Sequence, residues 1–320
     1  MDVVQAIKFY INEMIKEAGA GIKALLMDKE TVSVCIKNIL FFLNHVLAFY
    51  LQISIVSIVY AQSEMQEKEV FLFELLENFT PKTESAKFVK CIAFIRPTEK
   101  NLNYLMRELK HPRFSQYFLC KLLTHISNCI LNSFFLDFNN IISKTDIKAI
   151  ADVDENELIK DVQEAYADYL ALNSHTFSMN VKYCYQNGTY WNPNSFVRIS
   201  QGLISLLLSL SRSPLIRYQA NSVLAERLAE DVRRTIAKES GLFDPLFKGL
   251  NDSQPILLVL DRKFDPITPL LNQWTYQAML HEQLTIVNNR VNLSLIPGTD
   301  KNLREVVLSK DQDEFYEKVK

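Results

Sequence analysis

The stretch from Pro255 to Leu284 constrains this chain more than any other, because it sets an unbroken apolar run, a charged turn and an amphipathic segment side by side. Ile256–Leu260 has no polar residue and no alternation, which predicts a strand buried on both faces of a parallel sheet. Asp261, Arg262 and Asp265 follow at its carboxyl end, where open α/β sheets place their polar groups. Pro266 and Pro269 hold the next link extended. A helix is predicted from about Leu270, with Leu271, Trp274, Met279 and Leu284 near one face.

Two readings compete for those charges. An apolar strand ending in Asp could present the nucleophile of an Asp-dependent phosphohydrolase of α/β fold. That chemistry wants a second carboxylate two residues on, to handle the leaving-group proton and a divalent metal. Here that position is Lys263. The earlier run Ile22–Met27 ends in Asp28-Lys29-Glu30-Thr31, which comes closer, yet no separate lysine and acidic cluster completes a site. The simpler reading makes Asp261, Arg262 and Asp265 an ion-pair cluster that stabilises the turn.

Three hundred and twenty residues allow about two domains, and a hydrophobic content of 48% supplies an ample core. A net charge of −2 gives no global attraction to phosphate backbones or anionic lipid, so no nucleic-acid partner is expected. The five cysteines, Cys35, Cys91, Cys120, Cys129 and Cys184, form no CxxC pair and are odd in number, which argues against a disulfide framework or a zinc site and suits the cytosol. The Asn-X-Ser/Thr triplets at Asn78, Asn187, Asn251 and Asn292 would then never be glycosylated. The N-terminus carries Asp2, Lys8, Glu13, Lys16 and Glu17 among its apolar residues, so it reads as an amphipathic helix and not a signal peptide.

In chain order, Val3, Val4, Ile7, Tyr10, Ile11, Met14 and Ile15 repeat at helical spacing, and Gly19 and Gly21 close the helix. The string at Gly19–Ala24 precedes its strand, whereas phosphate cradling needs glycines between strand and helix. No GxxxxGK loop occurs among the seven glycines, and no cofactor is expected. Strands are predicted at Ile22–Met27, Val70–Glu74, Lys90–Ile95, Phe114–Leu119 and Tyr166–Leu172, with helices at Ile55–Gln66, Thr98–Lys110 and Asn156–Ala165 between them. The alternation indicates a doubly wound parallel sheet over residues 1–173. Residues 174–250 are mainly helical: Phe196, Ile199, Leu203 and Leu207 mark one helix, and Val223, Leu224, Leu228, Val232 and Ile236 a second. The second helix exposes Glu226, Arg227, Glu230, Asp231, Arg233 and Arg234 as a solvated face. Residues 251–320 open a third, α/β segment.

Taken together, DRKFDPITPLLNQWTYQAMLHE closely resembles the start of the third domain of the Sec-one/Munc-eighteen (SM) family, the syntaxin-binding regulators of SNARE-mediated membrane fusion. The likeness is to the branch that serves trans-Golgi and endosomal fusion. IKALLMDKET, IVSIVYAQSEM, CIAFIRPTEKNLNYLMREL and NIISKTDIKAIADVDE resemble segments of the family's first domain, and QGLISLLLSLSRSPLIRYQ its helical second domain. The resemblance runs to about Tyr316, where the family continues; a third domain cut early and a second domain without its returning C-terminal segment are the expectation, with a non-functional truncated product as the other outcome. Two stretches depart from the pattern, Val34–Ser54 and Cys120–Leu136. Both are rich in Leu, Ile, Phe and Asn, and their first residues can be encoded by GTATGT and by TGTAAG, so retained introns or real insertions are the two readings. Asn38 to Tyr60 also lacks Asp, Glu, Lys and Arg over a length that could cross a bilayer. Asn44, His45 and Gln52 would each need a partner in hydrocarbon.

The resemblance implies a monomeric, non-enzymatic arch that clasps a syntaxin-type SNARE and the assembled SNARE complex. It would work in the cytoplasm, peripheral to Golgi and endosomal membranes through its partners. No nucleophile–base pair or metal-ligand cluster speaks against this, and the five histidines are scattered. An outer pocket would take a short N-terminal syntaxin peptide, with Leu105, Met106, Leu109, Phe114 and Phe118 as its candidates. Leu102, Leu105, Met106 and Leu109 at helical spacing could equally face the sheet. Asp28 and Lys29 are candidates for the wall of a second, SNARE-bundle cleft. Asp261, Arg262, Asp265, Pro266 and Pro269 carry the family signature as structural residues.

Overall fold

The computed structural model describes residues 2–28, 60, 62–78, 86–118, 137–138, 142–159, 162, 164–186, 190–247, 254–287, 290–294, 296–299, 305–308, 313 and 315. The two atypical stretches, 34–54 and 120–136, lie outside the described residues, as do Lys29 and the candidate membrane span apart from Tyr60. No helix among the described residues is long and apolar enough to cross a membrane. The chain divides into two compact units, Met1–Ala6 with Tyr166–Gln273, and Ile7–Ala165 with Trp274–Lys320.

The second unit is built on a parallel sheet. α1 (Val3–Glu17) buries Ile7, Tyr10, Ile11, Met14 and Ile15 on one stripe and ends before Gly19, whose φ of 68° suits a glycine. β1 (Lys23–Met27) follows, then α2 (Gln62–Glu67), β2 (Val70–Leu75), β3 (Ala86–Ile95), α3 (Glu99–Lys110) and β4 (Phe114–Phe118). The strand order is β2-β1-β3-β4, and every pair is parallel. β5 (Asp137–Phe138) also pairs with β3 in parallel. β1 is buried at all five positions, as a strand with both faces covered must be. Ala24, Leu26, Val89, Cys91, Ala93 and Ile95, alternate residues of β1 and β3, share one core with Leu102, Leu105 and Leu109 of α3 and with Ile150 of α4 (Lys144–Ala151). Lys23, 2% exposed, reaches the Gly21 carbonyl at 2.9 Å and Glu69 at 3.0 Å, so its charge is buried with partners.

The predicted helix over Asn156–Ala165 does not form at its described positions. Asp154 instead accepts the amides of Leu158 and Ile159 at 3.1 and 2.9 Å, folding the chain back so that Ile159 bridges Tyr117 in parallel. The helix of this region is α4, capped by Ser143, whose hydroxyl accepts Asp146 N–H at 3.1 Å.

In the first unit the predicted strand Tyr166–Leu172 shrinks to β6 (Leu170–Ala171), which pairs antiparallel with β7 (Phe177–Ser178). A second short hairpin joins β8 (Tyr185–Gln186) and β9 (Tyr190–Trp191). α5 (Pro193–Ser209) starts at Asn192, whose side chain accepts two amides, with Pro193 at the first helical position. β10 (Leu215–Tyr218), α6 (Val223–Lys238), α7 (Ser240–Phe247) and β11 (Ile256–Val259) complete the unit. At its other end, Val3 N–H donates to Ser174 O at 3.4 Å, and the Tyr169 hydroxyl donates to Val3 O at 3.3 Å.

β11 departs from expectation. It pairs in parallel with β10, and α6 packs on both strands, but Ile256, Leu258 and Leu260 stay 65, 57 and 66% exposed while Leu257 and Val259 are half-buried. Only one face of this two-stranded ribbon has a cover among the described residues. The helix predicted from Leu270 starts later, as α8 (Tyr276–Leu284). Pro269 opens a single 3₁₀ turn, Thr268–Leu270, and Leu271 returns to extended backbone, which leaves Leu271 and Trp274 exposed. Three antiparallel strands, β12 (Ile286–Val287), β13 (Arg290–Asn292) and β14 (Glu305–Val307), follow α8 in the second unit.

Candidate partner-binding site

The candidate peptide surface rests on α3 and β4. Thr98 caps α3 by accepting Asn101 N–H at 3.3 Å, and the helix buries Asn101, Leu102, Leu105, Glu108 and Leu109 at alternating three- and four-residue spacings. Leu105, Leu109 and Phe114 are 0, 1 and 3% exposed, so these three candidates lie within the core. Met106 differs: it is half-buried and packs against that core, as does half-buried Tyr104 two residues earlier. Lys100 and Arg107 both lie 5.8 Å from the Tyr104 ring centre, so that ring is flanked by two cations. Phe118 closes β4, and its side chain lies outside the described residues.

At the end of α3 sits a buried polar network that the sequence reading missed. Arg113 donates from Nε to Glu108 Oε2 at 3.0 Å and from Nη1 to Glu74. The Tyr117 hydroxyl donates to Glu108 at 2.6 Å and accepts Arg113 N–H at 3.2 Å. Burial raises the Tyr117 phenol well above its ordinary range, and the neighbouring Cys91 and Glu108 push it the same way. Burial works against the Arg113 charge, but the Glu108 and Glu74 carboxylates outweigh it and raise its pKa. The network pins the end of α3 to β2 and β4. Glu74 stands thirty-nine positions before Arg113, so no local spacing announces it.

Asp28 is fully buried and accepts Arg96 N–H at 2.7 Å. Its carboxylate is turned inward, onto backbone at the end of β3. Among the described residues, no three His, Cys, Asp or Glu side chains gather as metal ligands would.

The family-signature residues form a tight polar turn in the first unit. Asp261 accepts the Tyr185 hydroxyl, the Ser222 hydroxyl at 2.6 Å and Lys263 N–H at 3.0 Å. Ser222 also caps α6, accepting Ala225 N–H at 3.1 Å, so Asp261 ties β8, α6 and the end of β11 together. Burial alone would raise the Asp261 carboxyl, but the Ser222 and Tyr185 hydrogen bonds more than offset it and hold it below its ordinary value. Burial first, and then the Asp261 carboxylate, push the Tyr185 phenol up to about 12. Arg262 pairs with Asp265 at 2.7 Å, and Asp265 accepts Thr268 N–H at 3.2 Å. Pro266 and Pro269 flank this turn.

Comparison with known proteins agrees with this geometry. The profile of the Sec1 family matches residues 52–320. Vacuolar protein sorting-associated protein 45 of Mus musculus and of Homo sapiens are each 46% identical over 316 residues, covering 99% of this chain and 48% of theirs. The solved SM protein Vps45 in complex with the Qa SNARE Tlg2 superposes with a TM-score of 0.79 at 37% identity, covering 99% of this chain and 49% of that one. The chain spans about half the length of the relatives it matches. With the parallel sheet, the capped α6 and the Asp261 turn all falling within a likeness that runs nearly end to end, the chain belongs to the Sec1 family.

Proposed function

We propose that this protein regulates SNARE-mediated vesicle fusion by binding a syntaxin-type SNARE and promoting SNARE complex assembly in trans-Golgi, endosomal and vacuolar transport. The observation that supports this is the match of nearly the whole chain to about half of a relative solved in complex with a Qa SNARE. The protein acts by binding and makes no bond. It works as a monomer in the cytoplasm and reaches Golgi and endosomal membranes through its partners.

On α3 the peptide-facing residue is Met106, with Leu105, Leu109 and Phe114 as the packed bed that holds it and Phe118 included by its position in β4. An apolar anchor of the SNARE's N-terminal segment seats against Met106. Titration of fluorescent syntaxin N-terminal peptides into the protein tests this. Met106→Arg should weaken binding about tenfold or more, because a charge would face an apolar anchor unpaired. Unchanged affinity would remove Met106 from the surface. Absence of binding by the parent chain to both the peptides and a cytosolic Qa SNARE would overturn the function itself.

A further inference from the structure

We infer that β4 and β5 are two halves of one strand, and that the seventeen residues Cys120–Leu136 are an insertion the sheet can lose without changing its register. The pairing of β3 shows it. On one edge, β1 accompanies β3 from Lys90 to Phe94, with Met27 opposite Phe94. That edge is therefore occupied at Phe94, and β5, which pairs Asp137 with Phe94 and Phe138 with Ile95, must use the other. The other edge is held up to Ile92 by β4, whose Phe118 lies opposite it. Both short strands run parallel to β3, so they run in the same direction, end to end, along a single edge.

Their register fixes how many residues lie between them in excess of a continuous strand. Two positions separate Ile92 from Phe94 on β3, and nineteen separate Phe118 from Asp137, which leaves a surplus of seventeen. Joined without that surplus, Leu119 would fall opposite Ala93 and Asp137 opposite Phe94, the pairing already present. The residues that depart from the family pattern, Cys120–Leu136, are also seventeen in number. Sequence pattern and ladder register thus mark one length independently. An ordinary connection between parallel strands crosses to a new edge position, and a bulge adds one residue or a few. Two strands that lie end to end on one edge of β3 fit neither.

The test is a deletion series in the full chain, comparing soluble yield and Tm for the parent, a chain lacking Cys120–Leu136, one lacking Cys120–Phe135 and one lacking Leu119–Leu136. The seventeen-residue deletion should raise Tm by on the order of 5 °C through the shorter loop. The sixteen- and eighteen-residue deletions should fall below it in both readouts, because a one-residue offset moves every following side chain to the opposite face. Equal behaviour of all three deletions would overturn the inference, as would a seventeen-residue deletion less soluble or less stable than the parent.

Discussion

Asp261 shows how a residue's neighbours turn a sequence motif into a physical role. Its carboxylate receives two hydroxyls and one amide, and those bonds hold its pKa below the ordinary 3.8. A group with a depressed folded pKa stabilises the fold above its unfolded value and loses that contribution as pH falls through the folded one. Asp261→Asn should therefore cost about 1.5–3 kcal/mol at pH 7, the worth of hydrogen bonds to a charged acceptor. Urea denaturation should show the gap between the two chains closing as pH drops below about 4. A gap that stays constant would mean the carboxylate is not the stabilising form. The charge cluster at 261–265 was legible, since strand ends and turns concentrate such residues. Its partners Tyr185 and Ser222 were not, because folding brings them from distant positions. On α3, periodicity picked out the apolar side chains but could not say which way each points. Leu105 and Leu109 face the sheet, and Met106, between them in sequence, is half-buried.

At the scale of elements, α3 was the easiest to read, because Thr98 caps it and its apolar spacing is regular to Leu109. α8 was harder: Pro269 permits a turn just where the apolar residues begin, and the chain spends it on a 3₁₀ segment. Asn156–Ala165 misled for another reason, since Asp154 competes with helix by accepting the amides of Leu158 and Ile159. α5 carries a constraint hidden in one letter. A Cβ on Gly202 would stand 2.3 Å from Met179 Sδ, 2.8 Å from Arg198 Nη1 and 3.0 Å from Asp168 O. The first two can shift, but Arg198 is bound to Asp168 at 3.0 Å and the carbonyl is backbone. Gly202→Ala should lower stability by about 1–3 kcal/mol in spite of alanine's better helix propensity, read as a drop in the urea midpoint. An unchanged or higher midpoint would show that the hairpin around Met179 yields freely.

For the molecule as a whole, the parallel sheet and the β10–β11 ribbon predict different local stabilities. β1 and β3 have partners on both edges and are largely buried, whereas Ile256 and Leu258 leave one face of β11 without cover among the described residues. In hydrogen exchange, the amides of Leu25, Leu26, Ile92 and Ala93 should exchange about a hundredfold more slowly than those of Leu257 to Val259. Comparable rates would mean that β11 is covered in solution. The two contacts of Val3, to Tyr169 and Ser174, carry a consequence for the timing of synthesis. At roughly 5–20 residues per second, a ribosome needs about ten to forty seconds after making Val3 before its partners leave the exit tunnel. For that interval the segment around Val3 lacks both contacts and stays open to chaperones, so its place is settled only after residues as far on as Ser174 have been made.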